Sequence, residues 1–154
     1  MMMNLSSDVI KILQGKTLAT AESCTGGGIG AALTAVPGSS AVYKGGIISY
    51  TNEIKEKLLG VPAEMLEAYG AVSEPVAQAM AVGARKALQT DIAVSVTGLA
   101  GPGGDEYSNP VGTVFIGYAD AAKSYAKEYH FSGDREAVRQ QALQMALCAV
   151  LDNN

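Results

Sequence analysis

The chain has no tryptophan, one histidine and two cysteines among its 154 residues. With His130 as the sole imidazole, no His/Cys metal cluster can be assembled, and a His-dependent triad would require His130 to fold beside the attacking serine. Cys24 and Cys148 lie far apart in a chain without a signal-like apolar segment, which points to a reducing compartment and to no structural disulfide. No apolar run approaches the roughly 20 residues that span a bilayer, and Met1-Met2-Met3 gives way too soon to polar residues for an export signal. A soluble, cytoplasmic protein with no membrane partner is expected. Basic residues are also scarce: 11 Lys and Arg stand against 15 Asp and Glu, a net charge of -4, with a pI of about 4.9. Duplex nucleic acid requires a Lys/Arg surface to neutralise phosphates, so no nucleic-acid partner is expected. A local basic pocket is compatible with this balance.

Hydrophobic residues make up 48% of the chain, enough for one compact domain over 1–154. Ser6 or Ser7 can cap a first helix that presents Val9, Ile10 and Leu13, with Gly15 ending it. Thr17 to Glu22 reads as a short strand, and Gly27 to Val36 as a small-residue helix broken by Pro37-Gly38. Tyr43 to Tyr50 reads as a strand and Glu53 to Leu59 as a helix capped by Thr51 or Asn52; Gly60, Pro62 and Gly70 punctuate the next segment. Ser73-Glu74-Pro75 opens an alanine-rich helix to Leu88. The period then changes: Asp91–Thr97, Val111–Ala119 and Ser124–Phe131 read as strands, with a hairpin connection at 119–123. A last helix starts near Asp134 with Val138, Ala142, Met145, Leu147 and Val150 on its core side. Helices interleaved with strands and ending in one hairpin predict an α/β fold, a three-layer α/β/α sandwich with a mixed β-sheet.

Chemistry concentrates in Ala21-Glu22-Ser23-Cys24-Thr25-Gly26-Gly27-Gly28, where the first strand gives way to a helix. Backbone N–H groups and the positive end of the helix dipole point at what lies there. Common signatures fail around it: no G-x-G-x-x-G occurs, Gly98–Gly104 is followed by Asp105 and not by the Lys-Ser/Thr of a P-loop, and Ser23 lacks both the G-x-S-x-G elbow and a lysine three residues on. A lysine or tyrosine base then remains for Ser23, and a lysine serves when desolvation or a neighbouring cation lowers its pKa. Lys55, about one turn into its helix, is the candidate, with Tyr50 at the end of the preceding strand. The alternative makes Tyr50 a half-buried strand aromatic and Lys55 a solvated helix residue beside Glu53, Glu56 and Lys57.

Other features divide in the same way. The loop Thr97–Asp105 follows a buried strand and has the glycine content to offer N–H groups to an anion or carbonyl oxygen, or it is an ordinary flexible turn. Arg135 and Arg139 share a helix face near its N-terminus, where a phosphate would meet guanidinium groups and dipole together, or they form a surface pairing with Asp134 or Glu136. Cys24 is either a thiol with a lowered pKa beside a helix start or a small buried residue. His130 reads as structural.

Taken together, Ala-Glu-Ser-Cys-Thr-Gly-Gly at 21–27, Tyr-Thr-Asn-Glu-Ile-Lys at 50–55, Ala-Val-Ser at 71–73, Thr-Gly-Leu-Ala-Gly-Pro-Gly-Gly at 97–104 and Gly-Asp-Arg at 133–135 closely resemble the nicotinamide-nucleotide amidase family, the C-terminal domain of the competence/damage-inducible protein CinA. The resemblance runs from about Leu5 to Leu151. It implies hydrolysis of the carboxamide of nicotinamide mononucleotide to nicotinate mononucleotide and ammonia, with no metal or other cofactor. It further implies Ser23 as nucleophile, Lys55 as its base, Tyr50 as a positioning or relay hydroxyl and Thr97 as a further active-site hydroxyl. The oxyanion would be held by N–H groups at Thr25, Gly26 and Gly27 or in the Gly98 loop, and the substrate phosphate by Arg135 or Arg139. Without the N-terminal module of two-domain CinA proteins, the stand-alone amidase form is expected, as a homo-oligomer whose small-residue helices could form the subunit interface. A catalytically silent nucleotide- or phosphate-binding module is the alternative.

Overall fold

The computed structural model describes residues 2–154, with side chains from residue 4 onward. Helix α1 (Met2–Ile12) leads into strand β1 (Leu18–Glu22), helix α2 (Gly28–Thr34) and strand β2 (Tyr43–Ile48). Helices α3 (Asn52–Leu59), α4 (Ala63–Tyr69) and α5 (Glu74–Leu88) follow, then β3 (Ile92–Gly98), the hairpin β4 (Thr113–Ala119) and β5 (Ser124–His130), and finally α6 (Arg135–Asp152). The sheet order is β2-β1-β3-β4-β5. β1 pairs parallel with β2 and β3, while β3-β4 and β4-β5 are antiparallel. This is the mixed sheet of the expected α/β class.

Strand alternation divides the core between two faces. Leu18, Val94, Val96, Val114, Ile116 and Tyr118 meet α1, α2 and α6 through Val9, Leu13, Ile29, Leu33, Val138, Ala142 and Leu147. On the other face Ala19, Ala21 and Ala93 meet Leu59, Leu66, Val76, Met80 and Ala84 of α3, α4 and α5. Small residues dominate that second face because α5 lies close: Ser95 Oγ donates to Ala77 O at 2.6 Å, and a methyl group at Gly117 would collide with the same carbonyl. The alanine face of α5 is thus occupied within the chain.

One expectation needs correction: helix α1 begins at Met2, so Ser6 is a buried residue inside it and no N-cap. Between Pro62 and Gly70, where the sequence offers only punctuation, Ala63–Tyr69 forms a short helix that buries Leu66. The caps of the later helices follow the sequence: Thr51 Oγ1 accepts from Ile54 N, and an Asp134 carboxylate oxygen accepts from Ala137 N.

The route β1-α2-β2 passes over one face, and β2-α3-α4-α5-β3 returns over the other. A crevice opens where the two routes diverge, beyond the carboxyl ends of the parallel strands. Ser23, Ser49 and Thr97 stand at those ends.

Candidate active site

Ser23 directly follows β1 and is held there by its backbone N–H, which donates to Val96 O of β3 at 3.0 Å. Lys55 lies in the first turn of α3 and reaches back beneath the end of β2. Its Nζ donates to Ser49 O at 2.7 Å, to Ser23 Oγ at 2.9 Å and, over 3.4 Å, to Tyr50 O. Only 1% of Lys55 is exposed. Burial pulls its pKa from the ordinary 10.5 down to about 8, against a weaker opposing influence of Cys24. In the charged form all three ammonium hydrogens have acceptors. After loss of one proton, the remaining two can stay on the carbonyls of Ser49 and Tyr50 and leave the lone pair facing the Ser23 hydroxyl. The solvated-helix reading of Lys55 is therefore overturned.

A cavity of about 460 Å³ opens above this pair, lined by Ser23, Cys24, Tyr50 and Lys55, by Ala71 and Val72, by the loop Thr97–Gly104 and by Arg135. Its size suits a small-molecule ligand. Two of its lining residues, Lys55 and Arg135, are basic, and none is acidic. The glycine loop is pinned in place: Thr97 Oγ1 donates to Ala71 O at 2.9 Å, Leu99 N to Thr113 O at 2.9 Å, and Asn109 Nδ2 to Val72 O at 3.1 Å. Within the loop the N–H groups of Ala100, Gly101, Gly103 and Gly104 have no acceptor among the described residues, which leaves them for a ligand.

The two arginines separate. Arg135 Nη1 donates to Gly101 O at 2.6 Å and its Nη2 to Tyr50 Oη at 3.4 Å, so this side chain spans the cavity mouth. Arg139 turns instead to the backbone after Ser23, donating to Cys24 O at 2.9 Å and Thr25 O at 3.3 Å. Neither forms the surface ion pair with Asp134 or Glu136; His130 Nε2 lies 2.7 Å from Glu128 Oε2, away from the cavity. Tyr50 is exposed, and its hydroxyl meets Arg135; what it gives Lys55 is its carbonyl.

Thr25, Gly26 and Gly27 do not reach the cavity lining. Gly26 N donates to Ser23 O at 3.1 Å. The buried Glu22 carboxylate accepts from Thr25 Oγ1 at 2.7 Å, from Gly27 N at 3.1 Å, from Ile29 N at 2.9 Å and from Gly30 N at 2.9 Å. The anion site expected at the start of α2 is thus filled by the chain's own side chain, and of the three residues only Thr25 keeps a backbone N–H without an acceptor among the described residues. Gly26 and Gly27 adopt φ of 60° and 100°, which lets this turn fold back on Glu22. Cys24 is buried, and its thiol is pushed up to about 11 by that burial; the lowered-pKa reading fails. Sequence reasoning misses Glu22 and the Ser49 carbonyl. An acid at a strand end followed by a glycine-rich helix start is the signal that points to Glu22.

The CinA C-terminal domain family model matches residues 3–153. The chain belongs to this family. It is 47% identical over 149 residues to the nicotinamide-nucleotide amidohydrolase PncC of Escherichia coli K12, a match that covers 95% of the chain and 90% of that protein. A CinA-like protein of Parasynechococcus marenigrum is 52% identical over 94% of the chain, which spans 35% of that longer relative. The crystal structure of a CinA superfamily protein from Escherichia coli superposes with a TM-score of 0.97 at 37% identity, covering 100% of the chain and 91% of the other. No helix among the described residues is long and apolar enough to cross a membrane.

Proposed function

We propose that this chain is a nicotinamide-nucleotide amidohydrolase that cleaves the carboxamide of nicotinamide mononucleotide through Ser23, with Lys55 as its base. The observation that carries the reading is the 2.9 Å contact between Lys55 Nζ and Ser23 Oγ on the floor of a cavity with basic and no acidic lining residues. Support for the substrate comes from the 47% identity to the Escherichia coli amidohydrolase over 95% of the chain.

In the proposed reaction, neutral Lys55 takes the Ser23 proton as Oγ attacks the carboxamide carbon. The tetrahedral oxyanion is met by free N–H groups, from Ala100–Gly104 or from Thr25. Protonated Lys55 passes its proton to the departing nitrogen, the C–N bond breaks and ammonia leaves. Water then attacks the ester on Ser23; Lys55 accepts the water proton and returns one to Ser23 Oγ as nicotinate mononucleotide departs. Arg135, at the mouth, is the side chain placed to bind the substrate phosphate, and that remote contact orients the amide over Ser23. We place this activity in the reducing cytoplasm, as one step of pyridine-nucleotide recycling, in keeping with two free cysteines.

The test is ammonia release from the purified protein given nicotinamide mononucleotide, with nicotinamide riboside as the phosphate-free control. Turnover of the nucleotide well above that of the riboside is expected. Binding of the nucleotide without ammonia release would replace the amidase with a silent binding module.

A further inference from the structure

Glu22 is 2% exposed and carries a carboxylate that touches neither Lys55 nor the cavity. A buried carboxylate is costly unless its oxygens are well bonded, and here four donors converge on it: the Thr25 hydroxyl and the N–H groups of Gly27, Ile29 and Gly30. All four lie within eight residues after Glu22. Strand alternation sends Glu22 to the α2 face of the sheet and lets the next residue, Ser23, face Lys55 on the other.

We propose that Glu22 is a positioning residue for the nucleophile: by gathering these donors it folds the turn that follows Ser23 and holds Ser23 Oγ on Lys55 Nζ. This rests on the reading of Ser23 as nucleophile. Arg139 holds the same turn through its carbonyls: Glu22 takes the Thr25 hydroxyl and Gly27 N–H together with Ile29 and Gly30 N–H of α2, while Cys24 O and Thr25 O accept from the guanidinium. Ser23 is thereby fixed at both ends, its N–H on Val96 O and its carbonyl on Gly26 N. The negative charge is spent on local donors and does not hold a proton on Lys55, whose pKa is governed by burial.

The test compares Glu22→Gln and Ser23→Ala with the unsubstituted protein, using nicotinamide mononucleotide as substrate. Glutamine keeps one acceptor oxygen but sets an amide N–H₂ against at least one backbone N–H that the carboxylate accepts. The expected result is a kcat lower by about ten- to a hundredfold, the cost of a small misplacement of a reacting group. KM should stay within about threefold, and the acid limb of the pH profile should stay where it is, because the cavity and the burial of Lys55 are untouched. A Glu22→Gln protein with lowered Tm and full kcat would make Glu22 a helix cap only and overturn the proposal. If Glu22→Gln does not fold, Thr25→Val removes one donor and leaves the carboxylate with three. A kcat lowered about threefold or more at unchanged KM then supports the proposal, and an unchanged kcat overturns it. Ser23→Ala separates the two claims: an active Ser23→Ala protein defeats the nucleophile assignment itself, whereas an inactive one beside a fully active Glu22→Gln defeats only the positioning role.

Discussion

Arg135 and Tyr50 meet across the mouth of the cavity, guanidinium to hydroxyl at 3.4 Å, while the same guanidinium holds Gly101 O at 2.6 Å. One side chain from the start of α6 therefore touches both the segment that leads into α3, the helix of Lys55, and the glycine loop. An arriving phosphate would find a guanidinium whose present partners are neutral oxygens, each a poorer match for its charge than an anion.

Arg135→Ala is therefore expected to raise KM for nicotinamide mononucleotide by about thirtyfold, equivalent to about 2 kcal/mol, while riboside hydrolysis changes little. Arg139→Ala should instead lower kcat on both substrates, because its hydrogen bonds go to Cys24 O and Thr25 O, just after Ser23. Steady-state kinetics on the two substrates distinguish these outcomes. Equal losses on both substrates for Arg135→Ala would make that residue structural.

Ser23→Ala should reduce kcat by at least about a thousandfold while the protein stays folded, since it removes covalent catalysis and leaves the core intact. Retention of activity within about tenfold would remove Ser23 from the mechanism. Circular dichroism with ammonia assays at matched concentration provides the check.

Cys24 lines the same cavity, but with its thiol pushed up to about 11 it carries almost no thiolate at neutral pH. Cys24→Ala is expected to keep kcat within about threefold. A covalent substrate adduct mapped to Cys24 would contradict the assignment of the nucleophile to Ser23.

Lys55 also leaves a mark on stability. Its folded pKa of about 8 lies below the ordinary 10.5, so between these values the unfolded chain binds a proton that the folded one does not. Stability attributable to this group therefore rises with pH across that window, and its burial is most unfavourable below about pH 8. Lys55→Met should raise Tm at pH 7, with the gap to the unsubstituted protein narrowing as pH climbs from 8 towards 10.5. Thermal melts at pH 7 and pH 9.5 measure it; a gap that widens with pH would mean that Lys55 is not desolvated.

Much of this arrangement is legible in the sequence because it depends on local pattern. β-Branched runs mark β3 and β4, alternation marks β5, and Thr51 and Asp134 mark helix starts. Helix α4 leaves no such mark because Pro62 and Gly70 enclose only seven residues, too few for a helical period to show. Ser23, Tyr50, Lys55, Thr97, Gly98 and Arg135 gather on one cavity because each lies at or just after the carboxyl end of a strand or in the first turn of a helix there. Composition and spacing do not reveal the direction of hydrogen bonds. The glycines after Ser23 read as a ligand cradle, yet their turn closes on Glu22. The shortest hydrogen bond of Lys55 goes to a backbone carbonyl, that of Ser49, and no side chain announces it.

Activation of Ser23 by a neutral Lys55 stands or falls on the pH dependence of kcat/KM for nicotinamide mononucleotide. An acid limb centred near pH 8 is expected, with activity rising as Lys55 loses its proton. That limb should persist in His130→Gln, and turnover should vanish in both Lys55→Met and Lys55→Arg, because a guanidinium does not give up its proton in this range. An acid limb that disappears in His130→Gln, or an active Lys55→Arg enzyme, would contradict it.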